Sequence, residues 1–438
     1  MSGTSTPTLS APAADANRII AIVTGANSGF GLGICHELLR NLSVDSGVPV
    51  PSAVPQLAAL PSPLSGLLDG PGAAAASTAA SLPRPHPTFT LVLACRSEKN
   101  AIAARDAVLA RHKKDLAARR RKGIPVPYGW EEGLRVEYEL VDLDSVGGDK
   151  GLLSFARRIG DKYPHVTSLF LNAGYAAFKQ VVMGRFMMQV LTNGLIHALH
   201  RPRYNIENVG ERSADGERGS VWGVNVLAPY ILAKELTPLL RASPKTLPFE
   251  PRVVYTSSIE ADAEGLKEDP LDDYQLLSYD ESYRASKYMG DLVLTALDGD
   301  LGEEERPIRC IVAEPGCVST NIAVAGLGAW QWLVKLKWYC YWLTFYFAHL
   351  IGSPYHPVWA TAGAMPMLYA AFIADTFLLS AAKTPAPKLH VVSRPLRAPT
   401  VKYGEVDKWD QNADVAKGLA ERCEQIRLDW HKREQENK

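Results

Sequence analysis

A chain of 438 residues, 47% of them hydrophobic, is long enough to bury one large core or two ordinary ones. Its 47 basic and 47 acidic residues cancel, so no net field recruits nucleic acid or another polyanion. Six scattered cysteines (35, 95, 310, 317, 340 and 423), with no C-x-x-C pair and no histidine cluster at zinc spacing, argue against a disulfide framework and a metal site.

Residues 1–17 lack the basic start and apolar core of a signal peptide and read as a loose tail. From Arg18, RIIAIVT is a continuous β-branched run that predicts a buried strand, and it feeds TGANSGFG and an amphipathic helix. The glycines at 25, 29 and 31 suit a sharp turn that brings backbone N–H groups at a helix N-terminus up to a pyrophosphate, where a Cβ would hold the phosphate off. Residues 43–88, rich in Pro, Ala, Ser and Gly with almost no charge, read as a disordered insertion outside the fold.

The alternation then resumes with the strand TFTLVLACR, a charged helix over about 98–120, the strand RVEYELVDL, a helix near 150–162 and the strand VTSLFLNAG. The basic run 111–122 on the charged helix is expected to be a solvated face. Residues 178–218 interrupt the pattern. It continues through a helix in VNVLAPYILAKELTPLL, the strand PRVVYTSS, the helix of YRASKYMGDLVLTAL, the strand IRCIVAEPG, a helix near 357–377 and the strand KLHVVS. Strands alternating with helices predict a doubly wound α/β Rossmann fold with a mostly parallel, seven-stranded sheet over 18–400, followed by a charged helical tail at 401–438.

The pattern Y-x-x-x-K occurs three times, as YAAFK (Tyr175, Lys179), YILAK (Tyr230, Lys234) and YRASK (Tyr283, Lys287). On a helix this spacing puts both side chains on one face. Tyr175 follows a strand end directly, and Lys234 reads as a surface charge. Only Tyr283 follows a strand ending in Ser257 and Ser258 and precedes one ending in a Pro-Gly turn. Reducing a ketone builds negative charge on the carbonyl oxygen, which needs hydrogen-bond donors and a proton source. A tyrosine, with a pKa near ~10, is expected to be tuned downward by a neighbouring ammonium, here Lys287.

In chain order these landmarks resemble the short-chain dehydrogenase/reductase family, whose glycine loop is T-G-x-x-x-G-x-G. The resemblance implies a dinucleotide site at Thr24, Gly25, Asn27, Ser28, Gly29, Phe30 and Gly31, with Asn172, Ala173 and Gly174 as the family's N-A-G and Asp142 facing the adenine. Arg96 stands where an NAD enzyme would carry an acidic ribose reader, which favours NADP(H). By the same resemblance Tyr283 is the general acid, Ser258 a second donor to the carbonyl, Asn225 the anchor of a proton-relay water and Lys287 a ligand of the nicotinamide ribose. The resemblance also implies cofactor contacts at Pro315, Gly316, Val318 and Thr320, with Thr320 on the nicotinamide carboxamide. The 25-residue interval from Ser258 to Tyr283 is longer than the family's commonest spacing and keeps Ser257 open as a substitute.

SSIEA, DPLDDYQLL ahead of YRASKYMGD, EPGCVST and the tail WDQNADVAKGLAERCEQIRLDWHKR resemble the fungal 3-ketosteroid reductases. That resemblance implies reduction of the 3-keto group of a sterol to the 3β-hydroxyl during C-4 demethylation in ergosterol synthesis, beside the other demethylation enzymes. Residues 324–352, with nine aromatics between Trp330 and Phe347, predict an interfacial segment on a membrane or lipid-droplet surface rather than a span. The cytosolic face of the endoplasmic reticulum is the expected place. The rival readings are a retinol-dehydrogenase-like carbonyl reductase and a catalytically silent sterol-pathway scaffold. The oligomeric state is left open.

Overall fold

The computed structural model describes residues 18–43, 88–245, 247, 249–302, 306–319, 331–372 and 387–436. The tail at 1–17, the interior of the 43–88 insertion, residues 324–330 of the aromatic segment and the end of the helix expected near 357–377 lie outside them.

Strand β1 (Ile19–Thr24) is buried throughout, with Ile19, Ala21 and Val23 in one core and Ile20 and Ile22 in the other. A parallel strand covered on both faces needs no alternation, which is why its sequence is a continuous apolar run. Helix α1 (Gly29–Leu42) leads to β2 (Phe89–Cys95), α2 (Glu98–Arg121), β3 (Leu134–Leu140), α3 (Leu152–Lys162) and β4 (Ser168–Leu171). The segment after β4 forms a small separate sheet of β5 (Phe178–Val181) and β6 (Asn205–Glu207), with α4 (Met183–Asn193) and α5 (Leu195–His200) between its strands. A π-helical turn, Gly223–Leu227, then enters α6 (Ala228–Glu235). There follow β7 (Arg252–Thr256), α7 (Ser282–Gly302), β8 (Arg309–Glu314), α8 (Gln331–Leu350), α9 (Met365–Phe372), β9 (Pro387–Arg394), β10 (Arg397–Glu405) and α10 (Trp409–Glu436).

The main sheet runs β10-β9-β8-β7-β4-β1-β2-β3. Its seven expected strands pair in parallel, and an eighth, β10, adds antiparallel to β9. Sequence reading passes over β10 because RAPTVKYGE contains Pro399, whose missing N–H only an edge strand tolerates, and a register shift falls between Arg397 and Thr400. The strand crosses residue 400, so the sheet extends past the expected domain boundary.

Helices α1, α2 and α9 cover one face of the sheet, and α3, α6, α7 and α10 the other. The charged tail helix α10 is part of this packing: Ala416, Leu419 and Cys423 are buried in the second core, and Arg427 pairs with Glu235 of α6 at 2.6 Å. Arg119, within the basic run, departs from the expected solvated face. Its guanidinium is buried and donates to the Ser43 and Arg40 carbonyls, closing the C-terminal end of α1.

Candidate active site

Chain order reverses between β1 and β4, and the crevice beyond their carboxyl ends is where open α/β sheets bind ligands. A cavity of about 490 Å³ lies there. Gly25, Asn27, Ser28, Gly29, Phe30 and Gly31 line it from the β1–α1 turn, and Asn172, Ala173 and Gly174 from the end of β4. A Cβ on Gly31 would sit 2.3 Å from the Gly25 carbonyl oxygen and 2.6 Å from Asn172 Nδ2, and Gly25 itself holds φ +66°. The turn therefore closes only with glycine, leaving backbone N–H groups at the start of α1 facing the cavity. Thr24 does not line the cavity. It ties the two loops together: its Oγ1 accepts from the N–H groups of Asn172 (2.9 Å) and Ala173 (3.0 Å), and its carbonyl accepts from Asn172 Nδ2 (2.9 Å). A cradle that any Cβ would fill, beside a helix N-terminus, fits the pyrophosphate of a dinucleotide.

Arg96 is exposed just past β2, and Asp142 follows β3, where its Oδ1 accepts from the Asp144 N–H at 3.2 Å. Neither lines the cavity. Thr320 lies outside the described residues; Pro315, Gly316 and Val318 line the far wall.

The catalytic candidates converge on the same space. Ser258, just after β7, and Tyr283 and Lys287, one turn apart on α7, all line the cavity. The Ser258 hydroxyl faces the Tyr283 phenol closely enough to pull its pKa down. Ser258 Oγ also accepts from the Glu260 N–H at 3.2 Å, which leaves its proton to donate. Ser257 donates to Asp291 Oδ2 at 2.8 Å, so its hydroxyl is tied beneath the site and Ser258 is the better-placed donor. The long Ser258–Tyr283 interval is accommodated as a loop that leaves the sheet and returns, closed by the pair of Arg284 and Asp262 at 2.5 Å.

Lys287 donates to the Thr256 carbonyl at 2.8 Å and lies 5.0 Å from the centre of the Tyr255 ring. Burial pushes it down to about 8, against the pull of Asp291 and with the repulsion of Lys388. Asn225, on the π-helical turn, accepts from the Tyr175 N–H and donates to the Tyr175 carbonyl, both at 2.7 Å, and donates to Ser286 Oγ at 2.8 Å. Its Oδ1 and the Lys287 Nζ both border Gly174, where an added Cβ would lie 3.4 and 3.3 Å from them. Asn225 is thus one layer behind the cavity wall.

The expected lowering of the Tyr283 pKa is not what the surrounding residues produce. Burial, and then the Glu260 and Glu207 carboxyls, push the phenol above its ordinary value, and only the Ser258 hydrogen bond pulls it down. Lys287 does not offset them, its ammonium donating instead to the Thr256 carbonyl.

The other two Y-x-x-x-K matches are structural. Tyr175 precedes β5 and donates to Glu211 at 2.5 Å, while Tyr230 is buried and donates to Glu424 of α10 at 3.2 Å. A broader, open depression of about 670 Å³ along β3 holds surface ion pairs and none of the candidate residues.

Several wall residues went unnoticed in the sequence. Phe178, Leu199, Tyr204 and Asn205 reach the cavity from the insertion and Glu260 from the loop after β7; they join Phe345 of the expected aromatic segment, which enters from α8. The insertion has no motif and no periodicity that points to them. Asp291 was legible, since Tyr283, Lys287 and Asp291 are spaced by four on one helix face. It is fully buried, with Lys388 of β9 at 3.0 Å, and Lys388 also meets Glu314 at 3.2 Å.

No protein-family model matches the chain. It is 26% identical over 356 residues to a 3-keto-steroid reductase of Kluyveromyces lactis, covering 81% of each chain. It is likewise 26% identical over 354 residues to a 3-keto-steroid reductase of Schizosaccharomyces pombe, covering 81% of this chain and 82% of the other. Among solved structures, salutaridine reductase of Papaver somniferum aligns at 17% identity over 82% of this chain and 97% of its own, with a TM-score of 0.47. The motif resemblance thus extends along the chain, which carries the short-chain dehydrogenase/reductase landmarks in order and is similar to the 3-keto-steroid reductases.

Proposed function

We propose that this chain is an NADP(H)-dependent oxidoreductase that reduces the 3-keto group of a sterol intermediate to the 3β-hydroxyl during C-4 demethylation in ergosterol synthesis. The observation that carries this reading is the meeting of Ser258, Tyr283 and Lys287 in one cavity with the glycine cradle. The names of the relatives supply the substrate class.

When bound, the reduced nicotinamide supplies a hydride to the carbonyl carbon. The Ser258 hydroxyl and the Tyr283 phenol are the donors for the charge that builds on the carbonyl oxygen. Tyr283 gives up its proton to that oxygen, and the Lys287 ammonium stabilises the phenolate left behind. The backbone around Gly25–Gly31 holds the pyrophosphate, and Arg96, beyond β2, is the group for a 2′-phosphate. Since Lys287 must carry its charge, kcat/KM for reduction is expected to fall as pH rises through about 8.

A sterol is apolar and dissolves in lipid, and the cleft mouth has matching chemistry. Helix α8 turns Tyr339, Leu343 and Phe347 outward, each more than half exposed, while Phe345 of the same helix lines the cavity. No described helix is long and apolar enough to cross a membrane. The reading is therefore an enzyme resting on the cytosolic face of the endoplasmic reticulum or on lipid droplets, near the other sterol demethylation enzymes. Replacing Tyr339, Leu343 and Phe347 by serine should release it from liposomes in flotation. A wild type that does not float refutes the membrane reading.

The function is tested by incubating the full chain with NADPH and a panel of 3-keto sterols, retinal and simple ketones while following cofactor oxidation. Turnover of the sterols is expected. Turnover of retinal alone would favour the retinol-dehydrogenase-like reading, and none at all a silent scaffold.

A further inference from the structure

The insertion at 178–218 brings to Tyr283 two groups that no motif assigns. At the end of β6 the Glu207 carboxylate accepts from the Ser282 hydroxyl at 2.5 Å and from the Tyr283 backbone N–H at 2.9 Å. Ser282 and Tyr283 are the first two residues of the 21-residue helix α7. Their N–H groups have no partner within the helix, and a carboxylate there also meets the positive end of the helix dipole. From β5, Phe178 sets its ring against the phenol ring of Tyr283, with centroids 5.7 Å apart at 56°. Phe178 and Glu207 face each other directly in the β5–β6 register, so the two contacts belong to one rigid piece.

We propose that the inserted hairpin is a clamp on Tyr283, with Glu207 as its positioning residue and Phe178 as the wall that fixes the ring. The inference rests on Tyr283 being the general acid. Its physical basis is the place of that residue in the helix. Terminal turns fray, and Tyr283 lies in the first turn, whereas Lys287 is one turn deeper. A general acid displaced by about 1 Å can lose on the order of 100-fold in rate, so an uncapped α7 would harm proton transfer while leaving the glycine cradle intact. Among the described residues, the charged and titratable groups around the phenol are Glu207 from β6, Tyr255 of β7, Glu260 from the loop after β7, Cys317 from the turn after β8 and Lys287 on α7 itself. Of these, Glu207 both holds the backbone and raises the phenol pKa.

The test uses the full chain with Glu207→Ala, Glu207→Gln and Phe178→Leu. Glu207→Ala is expected to lower kcat about 10- to 100-fold with NADPH binding, read by fluorescence, unchanged. Glu207→Gln keeps an acceptor oxygen but no charge. It should retain more of kcat and move the Tyr283 titration, followed by NMR of ring-labelled tyrosine and assigned with Tyr283→Phe, to lower pH. A Glu207→Ala protein that melts like wild type and keeps its kcat overturns the clamp, as does a Glu207→Gln protein whose Tyr283 titrates where wild type does. If Glu207→Ala does not fold, Phe178→Leu decides, and a wild-type kcat there overturns the proposal. Should the wild type reduce no ketone in the panel, the functional reading fails, while the tyrosine titration still judges the clamp.

Discussion

The glycine loop after β1 and the inserted hairpin after β4 face the same cavity but are built differently. The loop works through backbone: Gly31 is glycine because a Cβ there would lie 2.3 Å from the Gly25 carbonyl, and Gly25 because it holds φ +66°. The hairpin works through side chains, with Glu207 on the Tyr283 N–H and Phe178 on the phenol ring. A backbone site tolerates almost no substitution and so leaves a motif. A side-chain site can be built from many residues at many spacings, and it leaves none.

Four experiments would break or sharpen that contrast. The largest effect is expected from Tyr283→Phe, which keeps the ring against Phe178 and removes only the proton. Reduction should fall roughly 10²- to 10⁴-fold, measured as NADPH oxidation, and a near wild-type rate would place the acid elsewhere.

Next comes the floor beneath both halves, where Asp291 of α7 and Lys388 of β9 form a buried pair that also holds Ser257. Asp291→Asn or Lys388→Met alone leaves a buried charge with a lost partner and should cost about 3–5 kcal/mol in urea unfolding, with the double variant recovering much of it. Additive losses would show that the pair is not a unit.

The third is a pH experiment that samples each half. Burial pushes His112, under the cofactor side, and His356, under the mouth, down to about 4. An unfolded histidine titrates near ~6.5, so the unfolded chain takes up protons first as pH falls. Each histidine should therefore lose on the order of 3 kcal/mol of its contribution between about 6.5 and about 4. The loss is read as the difference in melting profile between wild type and His112→Gln or His356→Gln, because Glu260, pushed up to about 8 by burial, shifts the whole-chain profile the other way. A variant whose melting profile runs parallel to that of wild type across the window would mean that the ring it replaces is protonated in the fold. The fourth probes the backbone half alone: Gly31→Ala puts a Cβ 2.3 Å from the Gly25 carbonyl oxygen, so NADPH binding should be lost with Tyr283 unmoved, and wild-type affinity would show that the turn can open.

Much of the fold was legible. Seven strands, their parallel pairing and the glycine turn follow from apolar runs alternating with helical stretches, because strands covered on both faces must be apolar throughout. Strand β10 was missed because edge strands tolerate proline and need no apolar run. The position of YRASK in the strand and helix order singled out Tyr283 and Lys287 from two look-alikes. The tuning of those residues was not legible. The direction of the Lys287 ammonium depends on the Thr256 carbonyl, and the rise of the Tyr283 pKa on burial, Glu260 and Glu207.

What this sequence determined by itself is the part that short-range sterics and period control: strand and helix order, the glycine turn, and Tyr283 and Lys287 one helical turn apart. What only the tertiary structure decided is which distant groups meet there. Glu207 reaches α7 across 76 residues and Lys388 reaches Asp291 across 97. Electrostatic tuning and end-capping act over a few ångströms of space, and no interval along the chain encodes them.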